Sequence, residues 1–304
     1  MANNDKRPSP LQEWLAVTLL KLTGLLPLWL SRGLGVLVGW LGVVLSSRSY
    51  RTTLRNLELC YPQMDSEQRI LLARQSLRET GKLMFETGAV WRRSMDWLNR
   101  HIHGVHGQPV LQAAIDSGKG VLLLLPHMGN WEVMGLFLPE FGSTTTLYSP
   151  PDFSSLDKLI RNARQKSGAT LVPANRRGVA ALVKALKAGQ LIIILPDQVP
   201  EARSGGEFAP FFNVPARTMT LVNNLRKSTD CRVVAGCIER VSGGFDVHFL
   251  HVEDGINSDD EQEALAALNR TVEHCVAINP AQYQWEYKRF RKQPGNAPNP
   301  YAKG

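Results

Sequence analysis

The chain is short of several things, and each shortage removes a class of function. Its 304 residues include four cysteines, Cys60, Cys231, Cys237 and Cys275, with no CxxC pair among them. That spacing excludes a zinc ribbon or thioredoxin-type motif and offers no disulfide framework, so free, mostly buried thiols in a reducing compartment are expected. There is no phosphate-binding loop, and "GLGVLVG" (33–39) is an apolar helical stretch rather than a dinucleotide turn. No repeat or low-complexity block is visible. Acidic residues are also in deficit, 27 against 35 Lys plus Arg, for a net charge of +8. An excess of this size implies an anionic partner: nucleic acid, an anionic membrane surface or an acidic protein.

A hydrophobic run long enough to span a bilayer is missing too. Residues 14–45 are strongly apolar but carry Lys21 and Arg32, and only 15 uncharged residues separate Arg32 from Arg48. A spanning helix wants ~20. No small-x-small cleavage site follows a suitable core, which argues against a signal peptide. The segment reads as an anchor, either a short tilted span or a hairpin of interfacial helices broken near Pro27, with a buried core helix pair as the alternative. Arg48, Arg51 and Arg55 just beyond it favour a cytoplasmic main domain if it spans. "GVLVG" (35–39) has small-xxx-small spacing, a weak sign of helix pairing. The chain divides into a tail (1–13), this anchor (14–47), a main domain (48–293) and a loose Pro/Gly/Asn-rich tail (294–304).

The main domain opens with a helix whose Asp65 and Gln68 have capping-box spacing. Strands and helices then alternate: a strand at 120–125, a helix at 130–138, a strand near 144–149, a helix from Ser155 to Lys166, the strand "ATLVP", and a helix at 177–188 ending at Gly189. "QLIIILP" repeats the pattern of "GVLLLLP", a buried strand, a proline and then polar residues, here Asp197 and Gln198. Two strands joined at Ser242-Gly243-Gly244 and a helix at 259–278 follow. The expected fold is α/β, a mixed central sheet flanked by helices, behind an amino-terminal membrane-associated helical segment.

Candidate chemistry lies just past the first buried strand, in "PHMGNWE" (126–132). The carboxyl ends of strands are where open α/β sheets build sites. With His127 before the helix and Glu132 in its first turn, the carboxylate can reach back and fix the ring tautomer, as in triad chemistry. No serine or cysteine lies between them, so the pair suits direct deprotonation of a substrate hydroxyl. The plainer reading makes Asn130 a helix cap, Glu132 a helix-dipole residue and His127 an exposed turn residue. "HIHGVH" (His101, His103, His106) is similar to the H-x-H-x-x-H of binuclear zinc hydrolases, but Val105 stands where those enzymes carry aspartate. The stretch 195–219, with Asp197, Gln198, Arg203 and "FAPFF", suits a ligand with a charged head and a fatty tail, or packs on itself as a surface loop. "QYQWEYKRFRK" (282–292) interleaves aromatics with cations, which suits nucleic-acid stacking, a headgroup layer or a solvated edge.

Taken together, "RTTLRNLELCYPQMDSEQR", "PHMGNWE", "NRRGVAALVKALKAGQLIIILPDQ", "GGEFAPFFNVPARTMT" and "QYQWEYKRFR" occur in family order along nearly the whole chain. They resemble the bacterial late acyltransferases of lipid A biosynthesis, within the glycerolipid acyltransferase superfamily with its H-x4-D/E block. The resemblance implies an inner-membrane enzyme with its site at the cytoplasmic face. It implies transfer of an acyl chain from acyl carrier protein to a hydroxyl of a hydroxyacyl chain on a lipid A precursor, with no cofactor, no metal and no nucleic acid. By this match His127 is the general base and Glu132 its orienting partner. Asn130, Arg164, Arg177, Asp197 and Gln198 are candidates for substrate contacts, the arginines toward phosphate. Relatives acylate other membrane lipids, so another acceptor is the alternative. A metal-dependent hydrolase using His101, His103 and His106, and a non-catalytic membrane-surface or RNA-binding protein, are the rival classes.

Overall fold

A computed structural model describes residues 10–151, 154–200, 205–295 and 297–302. Arg203 and most of the expected amino-terminal tail lie outside them. In chain order the elements are α1 (Pro10–Thr23), α2 (Leu28–Val44), α3 (Arg48–Cys60), α4 (Ser66–Arg92), α5 (Met95–His101), β1 (Ile102–His106), α6 (Gln108–Asp116), β2 (Val121–Leu124), α7 (Trp131–Phe137) and β3 (Thr144–Tyr148). Then come α8 (Ser154–Gln165), β4 (Thr170–Pro173), α9 (Arg176–Lys187), β5 (Leu191–Ile194), β6 (Glu207–Phe211), β7 (Val214–Thr218), α10 (Leu221–Thr229), β8 (Arg232–Val241), β9 (Gly244–Leu250) and α11 (Glu261–Ile278).

Seven strands form one sheet in the order β1-β9-β8-β2-β5-β3-β4. Only β8 and β9 pair antiparallel, through the expected hairpin, so the sheet is mixed. β2 and β5 are buried along their whole length. That is why "VLLL" and "LIII" show no alternation: central parallel strands are covered on both faces. Two apolar cores do the covering. One holds Leu122, Leu124, Ile192, Ile194 and α11, and the other holds Leu123, Ile193, Val133 and Met134.

Asp65 caps the helix as its spacing predicts, with Gln68 N donating to Asp65 Oδ1 at 2.7 Å. The helix it starts, α4, is the platform for α2. An added Cβ at Gly35 would lie 2.5 Å from the Gly81 backbone, and one at Gly39 2.3 Å from Leu77 O. The small-xxx-small pair is therefore a seam where two backbones meet. Arg32, the one charge inside α2, is buried on that seam. It donates to Glu86 Oε2 (2.8 Å) and to the carbonyls of Val241 and Gly244. Arg240 reaches Glu86 Oε1 (2.8 Å) and Glu79 Oε2 (2.7 Å). The Glu86 carboxyl, raised by burial but lowered further by Arg240 and Arg32, ends below its usual range. A buried acid between two guanidiniums ties α2, α4 and β8 together, and loss of one partner from such a group typically costs ~3–5 kcal/mol.

Among the described residues no single helix is long and apolar enough to cross a membrane; α2 and α3 reach that length only as a pair bent by 78°. The break between α1 and α2 falls at Pro27, and both helices pack on α4. One face of α2 is buried, while Trp14, Leu19, Leu22, Leu25, Trp29, Leu37 and Trp40 on α1, α2 and their connection stay exposed. Isolated exposed leucines are ordinary, but this many along two adjoining helices form a patch of the kind that meets a membrane or a partner.

Three expectations change. The stretch 195–219 contains the β6–β7 hairpin, and "FAPFF" is no ligand surface at its centre: Ala209 and Phe211 are buried in the core beside α11. "QYQWEYKRFRK" is neither a stacking platform nor a solvated edge, since Tyr283, Trp285, Arg289 and Phe290 are buried. In the carboxy-terminal tail, Tyr301 is buried and its hydroxyl donates to Asn56.

Candidate active site

The parallel pairing of β2 and β5 sets Leu124 opposite Ile194. Both strands run into Leu-Pro, and the third residue past each of these partners is His127 and Asp197. Equal offsets in register strands deliver the two side chains to one level beyond the sheet. His127 Nδ1 lies 2.8 Å from Asp197 Oδ1, and its backbone N–H donates to Asp197 Oδ2 at 3.0 Å. Asp197 is buried, which alone would raise its carboxyl. The charge and hydrogen bonds of His127 outweigh that and bring it below its usual range. An ionised Asp197 accepts, so Nδ1 carries a proton, and in the neutral ring Nε2 presents its lone pair. Gln198 Nε2 donates to that atom at 3.2 Å. The Trp131 ring packs edge-on against the imidazole, 4.8 Å between centroids.

The strand-to-helix turn has an outside brace. Gly129 N donates to Gln282 O (3.0 Å) and Gln284 N to His127 O (3.0 Å). Gly129 has φ +56°, and a Cβ there would meet Ile238 O at 1.8 Å. Only glycine fits a left-handed position this close to another backbone. The Gln282 amide in turn exchanges hydrogen bonds with both backbone groups of Arg240. The carboxy-terminal "QYQW" is therefore the strap that shapes the His127 turn.

Glu132 does not orient His127, as had been expected. It faces the other way from the first turn of α7 and takes a fork from Arg164, Nε to Oε2 at 2.9 Å and Nη2 to Oε1 at 2.5 Å, with Trp91 Nε1 adding a bond of 3.1 Å. Burial lowers the Arg164 guanidinium, but Glu132 more than compensates and holds it firmly charged. The pair lines a small apolar pocket of about 60 Å³ with Leu125, Trp131, Ile193 and Leu195. Trp131 thus has the imidazole on one side and this pocket on the other.

The remaining candidates disperse. Asn130 stands at the helix N-cap position without capping; its Nδ2 donates to Glu86 Oε1 (3.2 Å), and its Oδ1 is buried with no partner among the described residues. Arg177 is exposed at the start of α9, whose preceding strand β4 is three places from β2, roughly 14 Å at ordinary strand spacing. His101, His103 and His106 do not converge: His101 bonds to Trp97 O and stacks on Trp97, His103 packs by Gly244, and His106 turns to Asp246. The residue that reading by motif undervalued is Asp197 as partner of His127. Its signal was the repeated strand-Leu-Pro-polar pattern.

The profile of the family described as bacterial lipid A biosynthesis acyltransferase matches residues 3–292. The chain belongs to that family. It is accordingly an acyltransferase, and secondary acylation in lipid A biosynthesis is the family's place. Among similar proteins, the lipid A biosynthesis lauroyltransferase of Escherichia coli K12 is 28% identical over 303 residues, covering 95% of this chain and 94% of its own. The palmitoleoyltransferase of the same organism is 27% identical over 92% of this chain and 91% of its own. A lipid A biosynthesis acyltransferase of Haemophilus influenzae is 28% identical, with 92% and 90% covered.

Proposed function

We propose that this acyltransferase moves a fatty acyl chain from an acyl carrier protein thioester to a hydroxyl of a hydroxyacyl chain on a lipid A precursor, at the cytoplasmic face of the inner membrane. The observation that carries the reading is the 2.8 Å bond between His127 Nδ1 and Asp197 Oδ1. A neutral imidazole with Nδ1–H committed to a buried carboxylate has a basic Nε2 and a fixed ring, the requirements of a general base. No serine or cysteine hydrogen-bonds that ring among the described residues. The reaction is then a direct transfer. Nε2 takes the acceptor hydroxyl proton as the oxygen attacks the thioester carbonyl. The tetrahedral intermediate collapses, the C–S bond breaks, and the proton passes from Nε2 to the departing thiolate.

Asp197 holds the ring and stabilises the transient imidazolium, the role a triad carboxylate plays. Gln198 caps Nε2 at rest and gives way to the acceptor hydroxyl. Arg164, fixed by Glu132, stands at the pocket beside Trp131 and turns its charge on the substrate, where oriented cations stabilise developing negative charge. The first carbons of the acyl chain enter the apolar pocket lined by Leu125, Ile193 and Leu195, which at about 60 Å³ must widen to take a whole chain. Support for a fatty acyl group comes from relatives named as lauroyl- and palmitoleoyltransferases. The exposed apolar face of α1 and α2, followed by Arg48, Arg51 and Arg55, supports a protein lying on an anionic bilayer rather than spanning it.

Mass spectrometry of lipids from cells lacking the gene, complemented with wild type or His127→Ala, tests the reading. Loss of one secondary acyl chain from lipid A, restored by wild type alone, is the expected result. A change confined to another lipid would keep the transfer chemistry and replace the acceptor. Restoration by His127→Ala would end the general-base assignment. Purified enzyme offered acyl carrier protein and coenzyme A thioesters side by side identifies the donor.

A further inference from the structure

We propose that β1 and β9 form a binding site for a borderline divalent metal of the zinc class, with His106, Asp246 and His248 as ligands. The proposal is independent of the acyl-transfer reading. Its basis is sheet register. β1 and β9 pair in parallel, with Gly104 opposite Asp246 and His106 opposite His248. Positions two apart on a strand project from the same face. These four residues therefore make one cross-strand square on the face opposite buried Phe245, Val247 and Phe249.

Three corners of the square carry metal-ligating side chains, and the fourth carries none. One ligand atom from each of His106, Asp246 and His248 lies within 4.8 Å of the others. His106 Nε2 is 3.1 Å from Asp246 Oδ2, and the two imidazoles stack with centroids 4.6 Å apart. Ligand atoms around tetrahedral zinc stand roughly 3.3 Å apart, so the widest gap must close by at most about 1.5 Å. Rotation of the half-exposed His106 side chain supplies that. A Cβ at Gly104 would sit 2.8 Å from His106 Nε2 and 3.2 Å from Asp246 Oδ1. The glycine is what lets ring and carboxylate meet there, and it leaves a coordination position open toward solvent.

A second carboxylate stands behind the first three ligands. Glu239 pairs with Asp246 across β8 and β9, lies 3.3 Å from His248 Nε2, and is itself held by Asn279 Nδ2 at 3.0 Å. A carboxylate in this position orients a ligating histidine once the ring turns to bond it; as it stands, His248 Nε2 makes no hydrogen bond among the described residues. Two imidazoles with a carboxylate suit zinc, nickel or copper and are poor hosts for magnesium or calcium, which prefer all-oxygen shells. Because β1 is the edge of the sheet, a bound metal would cross-tie the edge strand to its only neighbour. "HIHGVH" thus contributes its last histidine alone, with partners from a strand 140 residues on.

The test uses the full chain in detergent, stripped with a chelator and titrated with Zn2+ against a chromogenic competitor. Wild type should bind one Zn2+ per chain and melt at a temperature that rises with free Zn2+, as binding to the native state alone requires. His106→Ala, at an exposed position, should keep its fold and weaken binding by at least the roughly tenfold that outer-shell changes cost. His103→Ala, on the same strand but outside the square, should bind as wild type does. Equal zinc affinity in wild type and His106→Ala, or an equal loss in His103→Ala, would overturn the site. Should His248→Ala fail to fold, the His106→Ala and His103→Ala pair still decides.

Discussion

Arg164 grips Glu132 through two hydrogen bonds, so the acid five residues after His127 is engaged with another side chain altogether. The histidine and the glutamate of one motif thereby serve two neighbouring jobs. Arg164→Ala should strand a buried carboxylate, lower the melting temperature and abolish measurable transfer. Glu132→Gln with Arg164→Ala should recover part of the lost stability but none of the activity. A double-mutant cycle on both readouts checks this, and additive stability effects would contradict the coupling.

Asp197→Asn should keep the fold and lose most of the rate, because an amide can favour the wrong ring tautomer. Loss of a general base or its orienting partner typically costs ~100 to 10,000-fold. The drop should fall on kcat more than on donor binding, measured by single-turnover kinetics and by titration of a non-hydrolysable donor. Wild-type turnover in Asp197→Asn would remove Asp197 from the mechanism.

Gly135 on α7 lines the apolar pocket, and a Cβ there would meet nothing within 4 Å. Gly135→Met should therefore fold, with some gain in helix propensity, and shorten the acyl chain accepted. Each methylene denied burial forfeits ~0.8 kcal/mol, about fourfold in selectivity. Competition between donors of neighbouring length, read by product mass, checks it. An unchanged length preference would place the chain elsewhere.

The Glu86 carboxyl sits below its usual range in the folded protein. A lowered folded value adds stability that is complete above the unfolded value, about 4.3. It drains away as pH falls through that value toward the folded one. Glu86→Gln should melt lower at neutral pH and show a shallower loss of stability between pH 5 and the acid limit of folding. Thermal melts across that window decide it. Parallel curves would mean that another group governs the acid transition.

Removing 14–45 wholesale would uncover the α4 seam at Gly81 and leave Glu86 without Arg32, so deletion confounds binding with folding. Trp29→Glu and Leu37→Glu, both at exposed positions, separate the two. They should leave melting intact and weaken co-sedimentation with anionic vesicles. Equal sedimentation of the charged variants and wild type would assign the face to a protein partner.

Much of this architecture was legible because it is local. The Asp65 cap, the break at Pro27 and the Ser242–Gly244 hairpin each depend on a few neighbouring residues. Pattern also marked "VLLL" and "LIII" as central strands. What was hidden depends on strand order. Nothing near His127 tells that β5, rather than β3, lies beside β2, and the identity of its partner follows from that neighbour. The direction of Glu132 was hidden for a similar reason, since its partner arrives on α8. "FAPFF" and "QYQWEYKRFRK" misled by composition: packing against the core buries Phe211, Tyr283, Trp285 and Phe290 and leaves cations such as Arg291 and Lys292 at the surface.

The strap from Gln282 to Gln284 has a bearing on when the enzyme can first work. The turn that bears His127 takes its shape from backbone groups about 155 residues further along the chain. The turn therefore cannot take its final shape until residues 282–284 have folded back against it. Chains cut short before residue 282 should lack both hydrogen bonds that brace the turn and, on the proposed mechanism, should transfer no acyl group.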